Sequence, residues 1–246
     1  MNRVVITGAG VISSLGMDLT TNFNSLSEGK NGIGPIDFLN AERLSVRIGG
    51  QIHNYNPYDY FSKQENSIYD KFTQFALIAT KQAVSSSGIE FKEKDSSKIG
   101  VILGTAGGGL QTQDENYRQV YEEGKNRVHP LIVPKLMNNA AASNVSIKFN
   151  AQGPCFTIAS ACSSSNHAMG LALNLIRSGV IKVAITGGSE SMLCFGGIKA
   201  WEGLRIMSKD ACRPFCQTRD GMVQGEGAAI FIFENYQNAK KRGANI

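Results

Sequence analysis

The sequence predicts an α/β fold with a parallel or mixed sheet. Three observations carry that expectation. Short apolar, β-branched runs recur at 3–7, 98–104, 155–159, 183–186 and 228–233, as strands covered on both faces require. Segments of helical period lie between them, giving an alternating β-α-β-α-β-α-β order. Residues 153–190, GPCFTIASACSSSNHAMGLALNLIRSGVIKVAITGGSE, read in unbroken succession as strand, sharp turn, buried helix and strand.

Length and composition narrow the field. The 246 residues show no repeat or linker and fit one domain, 1–246. A net charge of +5 without a long basic run suits an acidic protein partner and does not demand nucleic acid. No apolar run reaches the length of a transmembrane span, and MNRVVITGAG lacks a signal-peptide core and cleavage site. Five cysteines without a C-x-x-C pair point to neither a disulfide framework nor a zinc site, so a reducing cytoplasm is expected.

The first strand, 3–7, precedes Gly8-Ala9-Gly10, read as a tight turn. A dinucleotide fingerprint fails there, because Ser13 stands where G-x-G-x-x-G needs its last glycine and Glu28 lies at a helix end. Residues 18–28 predict a helix with Leu19, Phe23 and Leu26 on one face, closed by Gly29. The segment 31–50 is irregular, with a strand-like 46–48, and 54–60 is loop-like. Residues 67–87 form the clearest amphipathic pattern, with Ile68, Phe72, Phe75, Ala76, Ala79 and Ala83 in register before Gly88.

The strand at 98–104 leads into Thr105-Ala106-Gly107-Gly108-Gly109. A phosphate loop is excluded by the lack of a following Gly-Lys-Ser/Thr. Residues 112–123 predict an exposed helix ending at Gly124, and Lys125, Asn126 and Arg127 a polar tip. Pro134 suits the first turn of a helix carrying Leu136, Met137 and 140–142. Residues 194–220 read as irregular and hold the lone Trp201. A strand at 228–233 and a helix at 235–242 complete the order.

Cys162 is the candidate nucleophile. It falls where a strand hands over to a helix, and unpaired N–H groups at a helix start favour a thiolate and an oxyanion. The helix behind it is apolar on most sides, as a helix buried in a large core is. Ala168, Gly170 and Ala172 leave room for another helix, and Gly179 closes the segment. His167 lies five residues on, roughly 140° around a helix, and reads as a packing or hydrogen-bonding residue. His53 and His129 sit in loops with nothing to place them near Cys162. A serine-hydrolase elbow is absent, because Gly187-Gly188-Ser189-Glu190-Ser191 ends in Ser. Cys155, Cys194, Cys212 and Cys216 read as structural or incidental.

Taken together, these motifs resemble a known family. RVVITGAGVISSLG, SLSEGKNGIGPI, GPCFTIASACSSSNHAMG, ITGGSESM, LRIMSKDACRPF, DGMVQGEGAAIFIFE and AKKRGANI are similar, in order and over the whole chain, to the N-terminal half of the β-ketoacyl-[acyl-carrier-protein] synthases. GGIKAWEGLRIMS and NHAMG lean toward the type II synthases and their nodulation-associated relatives. The resemblance implies a thiolase-like layered fold: a mixed sheet with helices on both faces and a buried central helix after the nucleophile.

It also implies a chemistry. Cys162 would take an acyl group from the phosphopantetheine thioester of an acyl-carrier protein, its own N–H forming half of an oxyanion hole. Decarboxylative condensation with malonyl-carrier protein would follow, with no cofactor beyond the carrier's phosphopantetheine. Longer family members supply two histidines, a lysine and a glycine-phenylalanine loop from a C-terminal half expected to be absent here. Acylation of the cysteine is therefore the most that 1–246 is expected to perform alone, and the central helix is expected to expose apolar surface. Among substrate-binding positions, Ala161 adjoins the nucleophile, Trp201 falls where the family lines the acyl pocket, and Gly107 falls where type II synthases often carry a larger apolar gate, implying a roomier pocket. Arg127 and Arg205 match positions that meet the acidic carrier. Lys63 is what remains of a further basic cluster. The family dimerises through the strand at 155–158, which implies a homodimer. Alternatives are a silent pairing subunit, disfavoured because Cys162 is retained, and an acyl-CoA thiolase-like enzyme.

Overall fold

The computed structural model describes residues 2–91 and 93–246. In chain order these form β1 (Val4–Ser13), α1 (Leu19–Ser27), β2 (Gly34–Pro35), β3 (Ile48–Gly49), α2 (Lys63–Ile68), α3 (Lys71–Ser87), β4 (Ile99–Gly104), α4 (Leu110–Tyr121), α5 (Ile132–Leu136), α6 (Ala140–Lys148), β5 (Cys155–Ile158), α7 (Ser164–Arg177), β6 (Val183–Ser191), α8 (Phe195–Gly203), β7 (Glu226–Asn235) and α9 (Tyr236–Lys241). The main sheet runs β1-β7-β6-β4-β5. β7 is antiparallel to both β1 and β6, whereas β6, β4 and β5 are parallel, so the sheet is mixed as expected.

Side-chain alternation along the strands divides the interior in two. Val101 and Leu103 of β4, with Val183 and Ile185 of β6, face α3 and α6. Ile102 and Ala184, between them in sequence, face Ala168, Ala172 and Ile176 of α7. α3 packs on β1, β7 and β6, and α7 on β6 and β4.

Several elements differ from expectation, each for a local reason. Gly8 and Gly10 make no turn; they lie inside β1. A Cβ at Gly8 would stand 2.1 Å from the carbonyl oxygen of Ala83, and one at Gly10 2.1 Å from that of Ala79. These glycines let the α3 backbone touch the strand. The 67–87 helix is two helices, because buried Asp70 caps α3, accepting from the N–H of Phe72 at 3.0 Å and of Thr112 at 2.9 Å. The helix expected from Pro134 through 142 is likewise split. The Leu136 carbonyl is taken by the N–H of Gly109 at 3.0 Å, and Met137 is extended. β6 continues past Thr186 to Ser191, paired throughout with β7. Residues 194–220 are not wholly irregular, since α8 carries Trp201.

The expected burial of the strand at 155–159 and of the helix behind Cys162 also needs correction. β5 is an edge strand with Cys155 exposed. α7 buries one stripe, Ser164, Ala168, Ala172 and Ile176. Ala168 and Ala172 meet the sheet, not a helix, and Gly170 faces open space. The helix buried on most sides is α3. Leu19, Phe23 and Leu26 do share a face of α1, but it points outward, at 43%, 70% and 64% exposed. Asn22 and Ser25 tie that helix down instead, donating to the carbonyls of Gly16 and Leu15.

Candidate active site

The turn between β5 and α7 presents Cys162. Ala161 precedes it at φ +52°, a left-handed conformation that a residue with a Cβ rarely adopts and that costs on the order of 1–3 kcal/mol. Serine hydroxyls hold the turn. The Ser160 N–H donates to Ser164 Oγ at 2.8 Å, Ser164 Oγ donates to the Ala161 carbonyl at 2.6 Å, and Ser163 Oγ to the Ser160 carbonyl at 2.8 Å. Ser160 Oγ also lies 2.6 Å from His167 Nδ1. Cys162 stands one residue outside the N-cap of α7, Ser163, and is exposed. Among the described residues the Cys162 N–H has no protein acceptor, while the next two amides close the turn onto Ser160 and Ala161. The turn thus offers an exposed thiol together with an amide that has no protein acceptor, the two groups that acyl transfer through an oxyanion uses.

Glycines set how close this turn lies to the sheet. A Cβ at Gly104 would be 2.4 Å from the backbone of Ser164 and Ser165, and one at Gly188 2.8 Å from Cβ of Ser165. The head of α7 therefore rests on the ends of β4 and β6, the C-terminal edge of the parallel strands where open α/β sheets bind ligands.

Cys162 opens into a cavity of about 840 Å3, walled by Ala161, Ser165, Glu190, Met192, Trp201 and Met222 among others. Glu190 is its charged member. Its Oε2 accepts from the N–H of Ala106 at 2.7 Å and of Gly107 at 3.3 Å, and its Oε1 from Thr105 Oγ1 at 3.2 Å. Burial holds this carboxyl above the usual carboxylate range, outweighing those bonds. The glycine-rich loop after β4 is thus an anion cradle filled by the chain's own carboxylate.

Of the residues singled out in the sequence, Cys162, Ala161 and Trp201 line this one cavity. Gly107 does not. It sits behind the wall, and a Cβ there would meet Met192 Cγ and Sδ at 3.2 Å. Lys63 starts α2, Arg127 lies in the loop after α4, and Arg205 follows α8 at φ +55°. All three are exposed, and none lines the Cys162 cavity. Arg205 instead borders a separate surface cavity of about 510 Å3 with Lys199 and Lys209. His53 and His129 do not line the Cys162 cavity. Cys194 is buried, its thiol pushed up to about 12 by burial. Among the described residues no group of His, Cys, Asp or Glu is placed to hold a metal ion, and no helix is long and apolar enough to cross a membrane.

Sequence reasoning missed Glu190 and Met192 as wall residues. The available signal was a lone carboxylate two residues past a glycine pair at the end of an apolar strand.

Residues 1–239 match the family model described as beta-ketoacyl synthase, N-terminal domain. The chain is 36% identical over 249 residues to the 3-oxoacyl-[acyl-carrier-protein] synthase 2 of Staphylococcus aureus (strain COL), covering 99% of this chain and 60% of that protein. It is 37% identical over 244 residues to the nodulation protein E of Rhizobium sp. (strain N33), with the same 99% and 60% coverage. The chain therefore spans about 60% of the length of these curated relatives. Among solved structures, the ishigamide ketosynthase/chain length factor superimposes with a TM-score of 0.92 at 25% identity, over 100% of this chain and 61% of that one. The layered mixed-sheet fold is that of the ketosynthases.

Proposed function

Because the chain belongs to the β-ketoacyl synthase family through its N-terminal domain, we propose that it is the nucleophile-bearing part of a 3-oxoacyl-[acyl-carrier-protein] synthase of fatty-acid or polyketide synthesis. The Cys162 thiolate attacks the thioester carbonyl of an acyl-carrier protein. The carbonyl oxygen's developing charge is met by the Cys162 N–H, and the carbon–sulfur bond to phosphopantetheine breaks, leaving acyl-Cys162 and a carrier thiolate that takes up a proton. In the second step malonyl-carrier protein loses CO2, and the carbanion attacks the acyl-cysteine to give a 3-ketoacyl product. That step draws on groups outside residues 1–246. The chemistry needs no resident cofactor.

One observation carries the reading: an exposed thiol on a strained turn, beside a free amide, at the opening of a cavity of about 840 Å3. The S. aureus relative is named for its carrier-protein substrate, which supports an acidic carrier as the partner. Arg127, Arg205 and Lys63 are the proposed contacts. The open edge of β5 supports pairing with a second copy, and a cytoplasmic setting follows from the pathway. A pairing subunit without turnover is favoured only by the likeness to a ketosynthase/chain length factor, and the retained Cys162 opposes it.

The test is to mix the chain with long-chain acyl-carrier protein, record intact mass and map the adduct. An acyl group on Cys162, lost in Cys162→Ala, is the expected outcome. Alkylation of Cys162 by iodoacetamide with no acyl transfer from the carrier would overturn the reading.

A further inference from the structure

We propose that the turn at 213–216 makes Cys212 and Cys216 a thiol–disulfide exchange pair, oxidised to an intramolecular disulfide by a small disulfide such as glutathione disulfide. Neither thiol lines the Cys162 cavity. The proposal therefore holds whether or not Cys162 accepts an acyl group.

The two cysteines flank one chain reversal. The Cys216 N–H donates to the Arg213 carbonyl at 3.2 Å, with Pro214 in the second position and Phe215 in the third at φ +63°. Proline's fixed negative φ followed by a positive φ defines a type II turn. Such a turn brings its first and last Cα atoms within about 7 Å, and a disulfide spans Cα atoms about 4.4–6.8 Å apart. Cys216 closes the turn and Cys212 stands one residue before it, so the reversal sets both at its open end. Both are exposed, and neither is bonded to another cysteine.

The turn is held from within its own segment. Phe215 is 100% exposed, so no packing imposes its left-handed backbone. Arg213 clamps the segment instead, donating from Nη1 and Nη2 to Asp210 at 3.0 and 3.3 Å and from Nη2 to Asp220 Oδ1 at 3.1 Å. The ends are tied where the Ser208 N–H donates to the Met222 carbonyl at 2.9 Å and the Met222 N–H to the Ile206 carbonyl at 2.8 Å. Between these ties, residues 208–221 carry neither helix nor strand, so a bridge disturbs no regular element.

Cys216 is the attacking thiol. Its Sγ lies 3.3 Å from Thr218 Oγ1. Hydrogen bonds with Thr218, helped by the charge of Arg213, hold it below the usual cysteine range. The other thiols fit the role less well. Cys194 is buried, burial pushes Cys155 up, and Cys162 has no second cysteine in its turn. The Cys216 thiolate attacks one sulfur of glutathione disulfide, giving a Cys216–glutathione mixed disulfide and one glutathione thiolate. The Cys212 thiol then loses its proton to solvent and attacks the Cys216 sulfur. The Cys212–Cys216 bond forms and the second glutathione leaves. Two protein thiols are oxidised and one glutathione disulfide is reduced to two glutathiones.

The test incubates the full chain with glutathione disulfide, blocks free thiols with N-ethylmaleimide and maps the products with trypsin. Cleavage after Lys209 and Arg219 delivers 210–219 as one peptide holding both cysteines, because the Arg213–Pro214 bond resists trypsin. That peptide should emerge lighter by two hydrogens. In Cys212→Ser it should instead keep one glutathione on Cys216. Cys216→Ser should lose the bridge and take up glutathione more slowly at Cys212 than Cys212→Ser does at Cys216. The ratio of bridged to glutathione-capped peptide should be about tenfold higher in the folded chain than in urea, the equivalent of roughly one residue's backbone ordered in advance. Glutathione on both cysteines of the peptide, or a dithiol left free for maleimide, overturns the proposal. So does an equal ratio in urea, since closeness in sequence and not the turn would then close the bridge.

Discussion

The two faces of the main sheet are built from the same strands and serve opposite ends. On one, α3 buries 11 of its 17 residues, with Phe72 and Phe75 fully enclosed. On the other, α7 buries four of 14 along an i, i+4 stripe and leaves Gly170 facing open space. The first face is sealed by apolar volume and by backbone-to-backbone contact at Gly8 and Gly10. The second carries the helix that leads out of the strained turn and its exposed thiol, while the open cavity lies at the strand ends and takes lining from the α3 side as well, Ile12 and Ala228 among it. Stability is concentrated where the chain is closed, which leaves the other face free to hold a costly backbone conformation at Ala161.

The contrast breaks most sharply at Phe75. Phe75→Ala should cost about 3–5 kcal/mol, read by urea denaturation. Leu173→Ala, half-buried on α7, should cost well under half as much, and equal losses would show that the faces do not differ. Glycine replacements sharpen the comparison with opposite signs. Gly8→Ala forces a methyl onto the Ala83 carbonyl and should destabilise by about 1–3 kcal/mol. Gly170→Ala meets nothing within 4 Å and should stabilise the helix by about 0.5–1 kcal/mol. A gain at Gly8 would mean that α3 does not lie on β1 as described.

The smallest effect is a pH slope. Burial raises the folded-state pKa of Glu190, so between the ordinary carboxylate value and that raised one the folded protein binds the extra proton. The stabilisation linked to that proton is therefore fully present below this window and is lost as pH rises through it. Glu190→Gln should flatten the fall, seen as a smaller change in Tm with pH. An identical pH dependence in the variant would place the slope elsewhere.

Much of the layering was legible because it depends on local periodicity. The apolar runs at 98–104 and 228–233 mark β4 and β7, and the resemblance carried by the motif around Cys162 singled out a residue that the structure places at the opening of the cavity. What escaped the sequence was set by partners far along the chain. Gly8-Ala9-Gly10 resembles a turn until Ala79 and Ala83 of α3 lie against it. The helix expected across 67–87 breaks because Asp70 finds Thr112. The apolar side of α1 looks like core, yet it faces outward while Asn22 and Ser25 make the attachments. Gly107 looked like added room until Met192, 85 positions later, was seen to occupy it.

The clasp between Glu190 and the glycine loop also bears on when the site comes into being. Its hydrogen bonds join residues 83 to 85 positions apart, and they form only once β6 lies beside β4 in register. Closing so long a loop is an entropic cost met before any of these contacts return energy. During synthesis the stretch around Cys162 emerges before Glu190. Cys162 is thus made before Glu190 and Met192 of its cavity wall, and the clasp that fixes that part of the wall waits until the parallel strands have found each other.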